Sequence, residues 1–311
     1  MKIKQILLIL TFFITSLNAE ESSTKQTYAE FGIKIQNINY KPYEFRPKSE
    51  LFTNSKSKLS YSEDQIFPAF AKYRNYTKKF GIDFDMASFD ISNSFYRATN
   101  LPNSYQFKIG NSSRDEFNLN FYYLPFNNHP NIFYFGFGLK KIDRLYQIQN
   151  DYRSERLFSD KIVSYGIIVP FRSNINIFEN LFLNLGLDPY ITLGKRKFVN
   201  QTAYSNSFGQ NEYPVIYYTD TNPNSITEII GYQADLSLSY TFLETWKLYI
   251  GGTINKSRIR FINSNQTNYE YWGDANRLYI TSDNSGILSY NKYKSKYDTF
   301  TSLYFGISII Y

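Results

Sequence analysis

Thr299-Phe300-Thr301-Ser302-Leu303-Tyr304-Phe305-Gly306-Ile307-Ser308-Ile309-Ile310-Tyr311 is the stretch on which the fold turns. Leu303, Phe305, Ile307, Ile309 and Tyr311 alternate with Ser302, Tyr304, Gly306 and Ser308. In a strand, successive side chains face opposite sides. One face here is apolar throughout and the other small and polar. The sequence stops mid-strand on an aromatic residue, where a water-soluble sandwich would be expected to run on. A strand with one face for lipid and one for a lumen is what the closing strand of a transmembrane β-barrel needs.

Working back from that strand, four short polar turns each precede a run rich in aromatics or glycine. They are Asn75-Tyr76-Thr77-Lys78-Lys79 before Phe80, Asn127-Asn128-His129-Pro130-Asn131 before Phe133, Ile175-Asn176-Ile177-Phe178-Glu179-Asn180 before Leu181, and Leu243-Glu244-Thr245-Trp246 before Lys247. Each follows another alternating run, the weakest being Phe67, Ala69, Ala71 and Tyr73. With an opening strand carrying Phe31, Ile33 and Ile35 on one face, ten strands are expected. They lie at about 28–38, 65–74, 80–90, 115–124, 132–144, 161–171, 181–194, 229–242, 247–261 and 298–311. The fold class is therefore all-β, a transmembrane antiparallel up-and-down barrel of about ten strands. Eight is the alternative, if the Phe67–Phe89 hairpin belongs to a loop. Single-chain bacterial barrels have even strand counts, short periplasmic turns and long outer loops. The five remaining connections, near 39–64, 91–114, 145–160, 195–228 and 262–297, are all long and all fall at the other end.

The N-terminus agrees. Met1-Lys2-Ile3-Lys4 is a basic start, Ile6 to Leu17 an apolar run, and Leu17-Asn18-Ala19 precedes the polar Glu20-Glu21-Ser22. This pattern is that of a cleaved secretory signal, too short for a spanning helix. Residues 1–19 are expected to be removed, leaving 20–311 as one barrel domain. The closing strand resembles the C-terminal signal strand of bacterial outer-membrane proteins. The resemblance implies export to the periplasm, delivery to the barrel-assembly machinery through the strand ending in Tyr311, and insertion into the outer membrane.

Composition fits that class. Mean hydropathy is −0.42, yet 19% of residues are aromatic, with 30 Tyr and 28 Phe. Alternating strands hide the membrane signal from any average. The net charge of +7 includes Lys2 and Lys4, so the mature chain carries about +5. That excess is too small to argue for nucleic acid, and suits contact with anionic lipid headgroups.

Strand parity assigns faces. Phe133, Phe135, Phe137 and Leu139, and Leu181, Leu183, Leu185 and Leu187, point to lipid; Tyr76, Phe126, Phe178 and Trp246 are expected in a periplasmic aromatic girdle. Lumen-lining candidates are Lys72, Asp83, Asp85, Lys140, Asp188 and Asp235, beside Gly136, Gly138, Asn184, Gly186, Gln233, Ser237 and Ser239. If the first hairpin closes with Arg74 opposite Gly81, Lys72 lies opposite Asp83. The two would then neutralise each other, with a cation site or catalytic carboxylates as the competing reading of Asp83 and Asp85. A second cluster, Lys195, Lys197, Lys256, Arg258 and Arg260, points outward near the outer rim. It is expected either to contact lipopolysaccharide phosphates, which suit charge-assisted bonds, or to snorkel to the interface.

No catalytic residue, cofactor or metal site is expected. The one histidine, His129, sits in a short turn between Asn128 and Pro130, and the chain has no cysteine. General acid–base and zinc chemistry lack their usual residues. Gly136-Phe137-Gly138 is a lumen-facing glycine pair rather than a phosphate cradle. Similarity to ten-stranded outer-membrane proteases stops at strand count, because their motif histidine is missing from the outer rim.

As a whole the chain resembles porin-like and OmpA-type membrane domains, a resemblance of plan that carries no functional residues across. A narrow diffusion channel leads the function classes. A closed structural barrel or adhesin follows closely, since ten strands make an interior that side chains can fill. Its binding face would be the Tyr- and Asn-rich loops, such as Tyr213-Pro214-Val215-Ile216-Tyr217-Tyr218 and Tyr269-Glu270-Tyr271-Trp272, meeting a host or environmental ligand. An enzyme comes last.

Overall fold

The computed structural model describes residues 27–41, 58–60, 64–97, 106–125, 132–148, 156–202, 213–219, 224–262, 267–273, 288–289 and 296–311. The expected signal segment, the turn holding His129, and Phe126 lie outside them.

Ten antiparallel strands close into a barrel. They are β1 (Thr27–Lys41), β2 (Asp64–Ile66 continued by Ala69–Asn75), β3 (Phe80–Arg97), β4 (Gln106–Tyr123), β5 (Ile132–Ile148), β6 (Arg156–Ile168 continued by Phe171–Phe178), β7 (Leu181–Thr202), β8 (Ile226–Phe242), β9 (Trp246–Ile262) and β10 (Lys296–Ile310). Each strand pairs with its neighbours in sequence, and β10 returns to β1 with Glu30 opposite Ile310 and Ile33 opposite Ile307. Reciprocal bonds between Ala29 and Tyr311, at 3.2 and 2.9 Å, seal that seam. Among the described residues the barrel has no open seam to lipid, in which unpaired backbone groups are unaffordable.

The alternation survives in three dimensions. Ile33, Phe137, Leu139, Leu303 and Phe305 are exposed, while Ser302, Ser308, Ser237 and Ser239 are buried inside. On β7 the outward row runs from Leu181 to Leu193 before Lys195. Those 12 residue steps make about 40 Å of strand, or about 30 Å of height at a tilt near 40°, close to the apolar band of an outer-membrane barrel.

Three expectations change. Ile175 to Phe178 are not turn but the end of β6, and the turn is Glu179-Asn180. Strand β6 keeps one register across Val169-Pro170, because the Pro170 carbonyl still accepts the Gly136 N–H at 3.0 Å. The long connections are not simple loops: β7 runs on to Thr202, and Tyr213–Thr219 pairs with Thr267–Gly273, which adds Leu288–Ser289. A small second sheet thus stands outside the barrel. Finally, Tyr76 turns inward and packs with Tyr122, Leu124 and Tyr134 at the mouth, leaving Phe178 exposed at the girdle.

Inward glycines let the wall bend. A Cβ on Gly136 would lie 1.8 Å from the Phe121 carbonyl oxygen, and one on Gly166 would lie 1.9 Å from that of Ile191. Neither contact is possible without moving backbone.

Candidate functional site

The interior has two storeys. At the short-turn end, a cavity of about 510 Å³ is lined from Tyr76, Asn180 and Glu244 up to Phe89, Glu116 and Phe300. Above it the inward side chains of the long strands meet across the barrel. This layer is level with Asp115, Lys141 and Lys195, where the outward face turns from apolar to charged.

Arg114 on β4 is its crossbar. Its guanidinium binds Glu116 at 2.6 Å beside it, and reaches over the lumen to Asp298 on β10 at 3.3 Å, Ser257 on β9 at 3.4 Å and the Tyr190 hydroxyl on β7 at 3.4 Å. Arg144 on β5 donates to the same Asp298 at 2.9 Å, as does the Tyr40 hydroxyl of β1. Lys140 completes the set on Glu116 at 2.5 Å, and Arg196 grips Asp160 through two bonds of 2.8 and 2.7 Å. Ile142, Ile162, Ile229 and Ile259 fill the space around these ions. Arg114 and Arg144 are 0% exposed and Asp298 1%. Buried ions survive only when paired and fully hydrogen-bonded, and this layer meets that condition while linking strands on opposite walls.

The expected lumen residues divide between the storeys. Lys140 belongs to the upper layer. Lys72, Asp83, Asp85, Asp188 and Asp235 line the cavity. Arg172 holds Asp188 through two bonds. Asp235 accepts from Tyr304 at 2.9 Å and Thr253 at 2.9 Å. Asp85 lines the same cavity as Lys34, Lys72 and Arg172.

The expected Lys72–Asp83 pair is a correction. The register places Lys72 opposite Asp83 and Arg74 opposite Gly81, as expected. Gly81 has no side chain, however, so Arg74 lies over it and binds Asp83 at 2.5 and 3.1 Å. Lys72 leans to its other neighbour, Glu30 on β1, at 3.5 Å. Glu30 also accepts from Tyr28, Tyr249 and Ser308.

Lys195, Lys197, Lys256 and Arg260 are exposed and outward, with Arg258 partly covered. Lys161 joins them, directly opposite Lys197. The parity that set Val163 and Tyr165 outward placed Lys161 there too. Strand parity also carried Glu30 and Lys34 inward, whereas nothing local linked Arg114 and Arg144 to Asp298.

With this interior described, comparison with known proteins settles the family. The model of predicted outer membrane proteins of Leptospiraceae matches residues 25–311. The chain belongs to that family. No curated protein matches it. Among solved structures, this member of the family is similar to the outer membrane protease OmpT from Escherichia coli, at 10% identity and a TM-score of 0.49, over 94% of this chain and 99% of that one. It is also similar to OprG from Pseudomonas aeruginosa (11%, 0.33, over 92% and 96%) and to the Pseudomonas putida toluene transporter TodX (8%, 0.33, over 93% and 90%). The family match and the closed barrel together make this an outer-membrane β-barrel protein.

Proposed function

We propose that this protein is a closed surface barrel of the outer membrane, which presents its outer sheet and loops and does not conduct solutes. One observation carries the reading: Arg114 and Arg144 cross the lumen to Asp298, and all three side chains are buried there. A porin-like channel keeps only the support of the polar cavity below, and needs the layer to part. No catalytic role is assigned to any residue. Proteoliposomes holding the refolded chain, residues 20–311, should not swell in arabinose beyond empty vesicles; swelling at the rate of a known porin would restore the channel.

The basic rim favours lipopolysaccharide as the lipid partner. Lys161, Lys195, Lys197, Lys256, Arg258 and Arg260 face outward where headgroup phosphates lie; among the described residues, Lys161 and Arg260 have carboxylates within 4 Å, Asp143 at 3.8 Å and Glu228 at 3.9 Å. Replacing these six by Gln should cut lipopolysaccharide co-purification; unchanged recovery would leave plain snorkelling. Recognition by the barrel-assembly machinery through the last strand belongs to the same proposal. Deleting Tyr311 should slow insertion.

A further inference from the structure

The cavity below the ion layer has a charge pattern that packing alone does not explain. Three lysines line it on one side of the barrel: Lys34 on β1, Lys72 on β2 and, across β10, Lys247 on β9. Of these only Lys72 has a carboxylate within ion-pair distance among the described residues, the buried Glu30. Glu30 is already saturated by three hydroxyls. Lys34 and Lys247 lie opposite Gly306 and Ser308 of β10, small residues that leave room for both ammonium groups.

With no carboxylate in ion-pair range among the described residues, Lys34 and Lys247 rest on rings. Lys34 Nζ is 4.2 Å from the centre of Tyr304 and 5.6 Å from Phe70. Lys247 Nζ is 5.2 Å from Tyr249 and 5.7 Å from Phe182. Ring faces attract ammonium groups but do not neutralise them. The upper end of the same cavity carries the apolar side chains of Ile38, Phe70, Phe89 and Phe300 beside Glu116. Phe89 and Phe300 close it edge to face at 5.3 Å.

We infer that this cavity binds a small organic anion with an apolar body, its acidic group among Lys34, Lys72 and Lys247 and its body under Phe89 and Phe300. Entry is from the short-turn end, the periplasmic side of outer-membrane barrels, past Tyr76 and Glu244. The inference rests on the closed-barrel reading only in treating the cavity as a dead end. Asp85 on β3 and Asp235 on β8 line the same cavity from the strands on either side of this set and turn away a second negative charge, so a monoanion fits better than a polyanion.

Phenylacetate is a soluble probe of this class, and phenethylamine a cation of similar shape. With the refolded mature chain in phosphatidylcholine nanodiscs, ligand-observed NMR should show saturable binding of phenylacetate and none of phenethylamine. The double variant Lys34→Gln, Lys247→Gln, checked for heat-modifiable migration, should weaken phenylacetate about tenfold or more, as expected for losing bonds to charged groups. No saturable phenylacetate signal above empty nanodiscs, equal binding by the variant, or preference for phenethylamine would each overturn the site. Conductance is a separate readout. A silent barrel that ignores phenylacetate overturns the site alone, and a conducting barrel that binds it overturns the closed lumen alone.

Discussion

Removing Asp298 should damage this protein more than any other single truncation in the lumen. The carboxylate accepts from Arg144 at 2.9 and 3.4 Å, from Arg114 at 3.3 Å and from Tyr40 at 2.9 Å. Asp298→Ala takes the shared carboxylate from two guanidinium groups that are 0% exposed. Losing one partner of a buried ion pair typically costs about 3–5 kcal/mol, most of it the remaining uncompensated charge. Arg114 keeps Glu116 at 2.6 Å, while Arg144 loses both of its bonds to Asp298, at 2.9 and 3.4 Å. A second change, Arg144→Met, should therefore recover at least about 1 kcal/mol of the loss, a coupling ordinary for residues in one network. The assay is urea unfolding of the refolded chain in lipid vesicles, followed by tryptophan fluorescence and gel migration. A loss under about 1 kcal/mol for Asp298→Ala, or strict additivity with Arg144→Met, would refute the crossbar.

Other expectations concern the wall and the mouth. Gly136→Ala should cost about 1–3 kcal/mol or more, the range for forced overpacking, because its Cβ would sit 1.8 Å from a backbone oxygen; the same urea titration checks it. Double-mutant cycles should couple Lys72 to Glu30 and Arg74 to Asp83, each by about 0.5–3 kcal/mol, and leave Lys72 and Asp83 near additive. Strong Lys72–Asp83 coupling would restore the pairing expected from register alone. The three-residue β8–β9 turn, Leu243 to Thr245, holds Leu243 and Glu244 at φ of 51° and 57°, a left-handed backbone that suits Asn and Gly. Left-handed backbone costs ordinary residues about 1–2 kcal/mol each, so Leu243→Asn with Glu244→Gly should raise the urea midpoint rather than lower it.

Strand parity made most of the barrel legible. Leu303 to Tyr311, Phe133 to Leu139 and Leu181 to Leu187 declare their faces through a period that survives any error in strand ends. β2 was hardest to see because Phe67-Pro68 interrupts it. Its one unbroken register with β1 shows why the segment still pairs: the Pro68 carbonyl accepts the Lys34 N–H at 2.9 Å. The turn before Leu181 was misplaced because Ile175 to Phe178 mix Asn with apolar residues, a composition that suits either turn or strand. Register between neighbours could be read, as Lys72 opposite Asp83 shows; which side chain bridges could not. That choice depends on the reach of Arg74 across an empty glycine position. Contacts across the lumen were out of reach altogether, since Arg114 and Asp298 are 184 residues apart and meet only once ten strands close. The outer sheet was missed for a similar reason: Tyr213–Thr219 finds its partner in another loop.

Whether the lumen is shut decides between a closed barrel and a channel. Single-channel recording of the refolded chain, residues 20–311, in a planar bilayer, with Asp298→Ala alongside, addresses this directly. A wild-type barrel that stays silent while folded by gel migration, and a variant that shows conductance steps, is the predicted result. Stable, discrete steps from the wild type would contradict it.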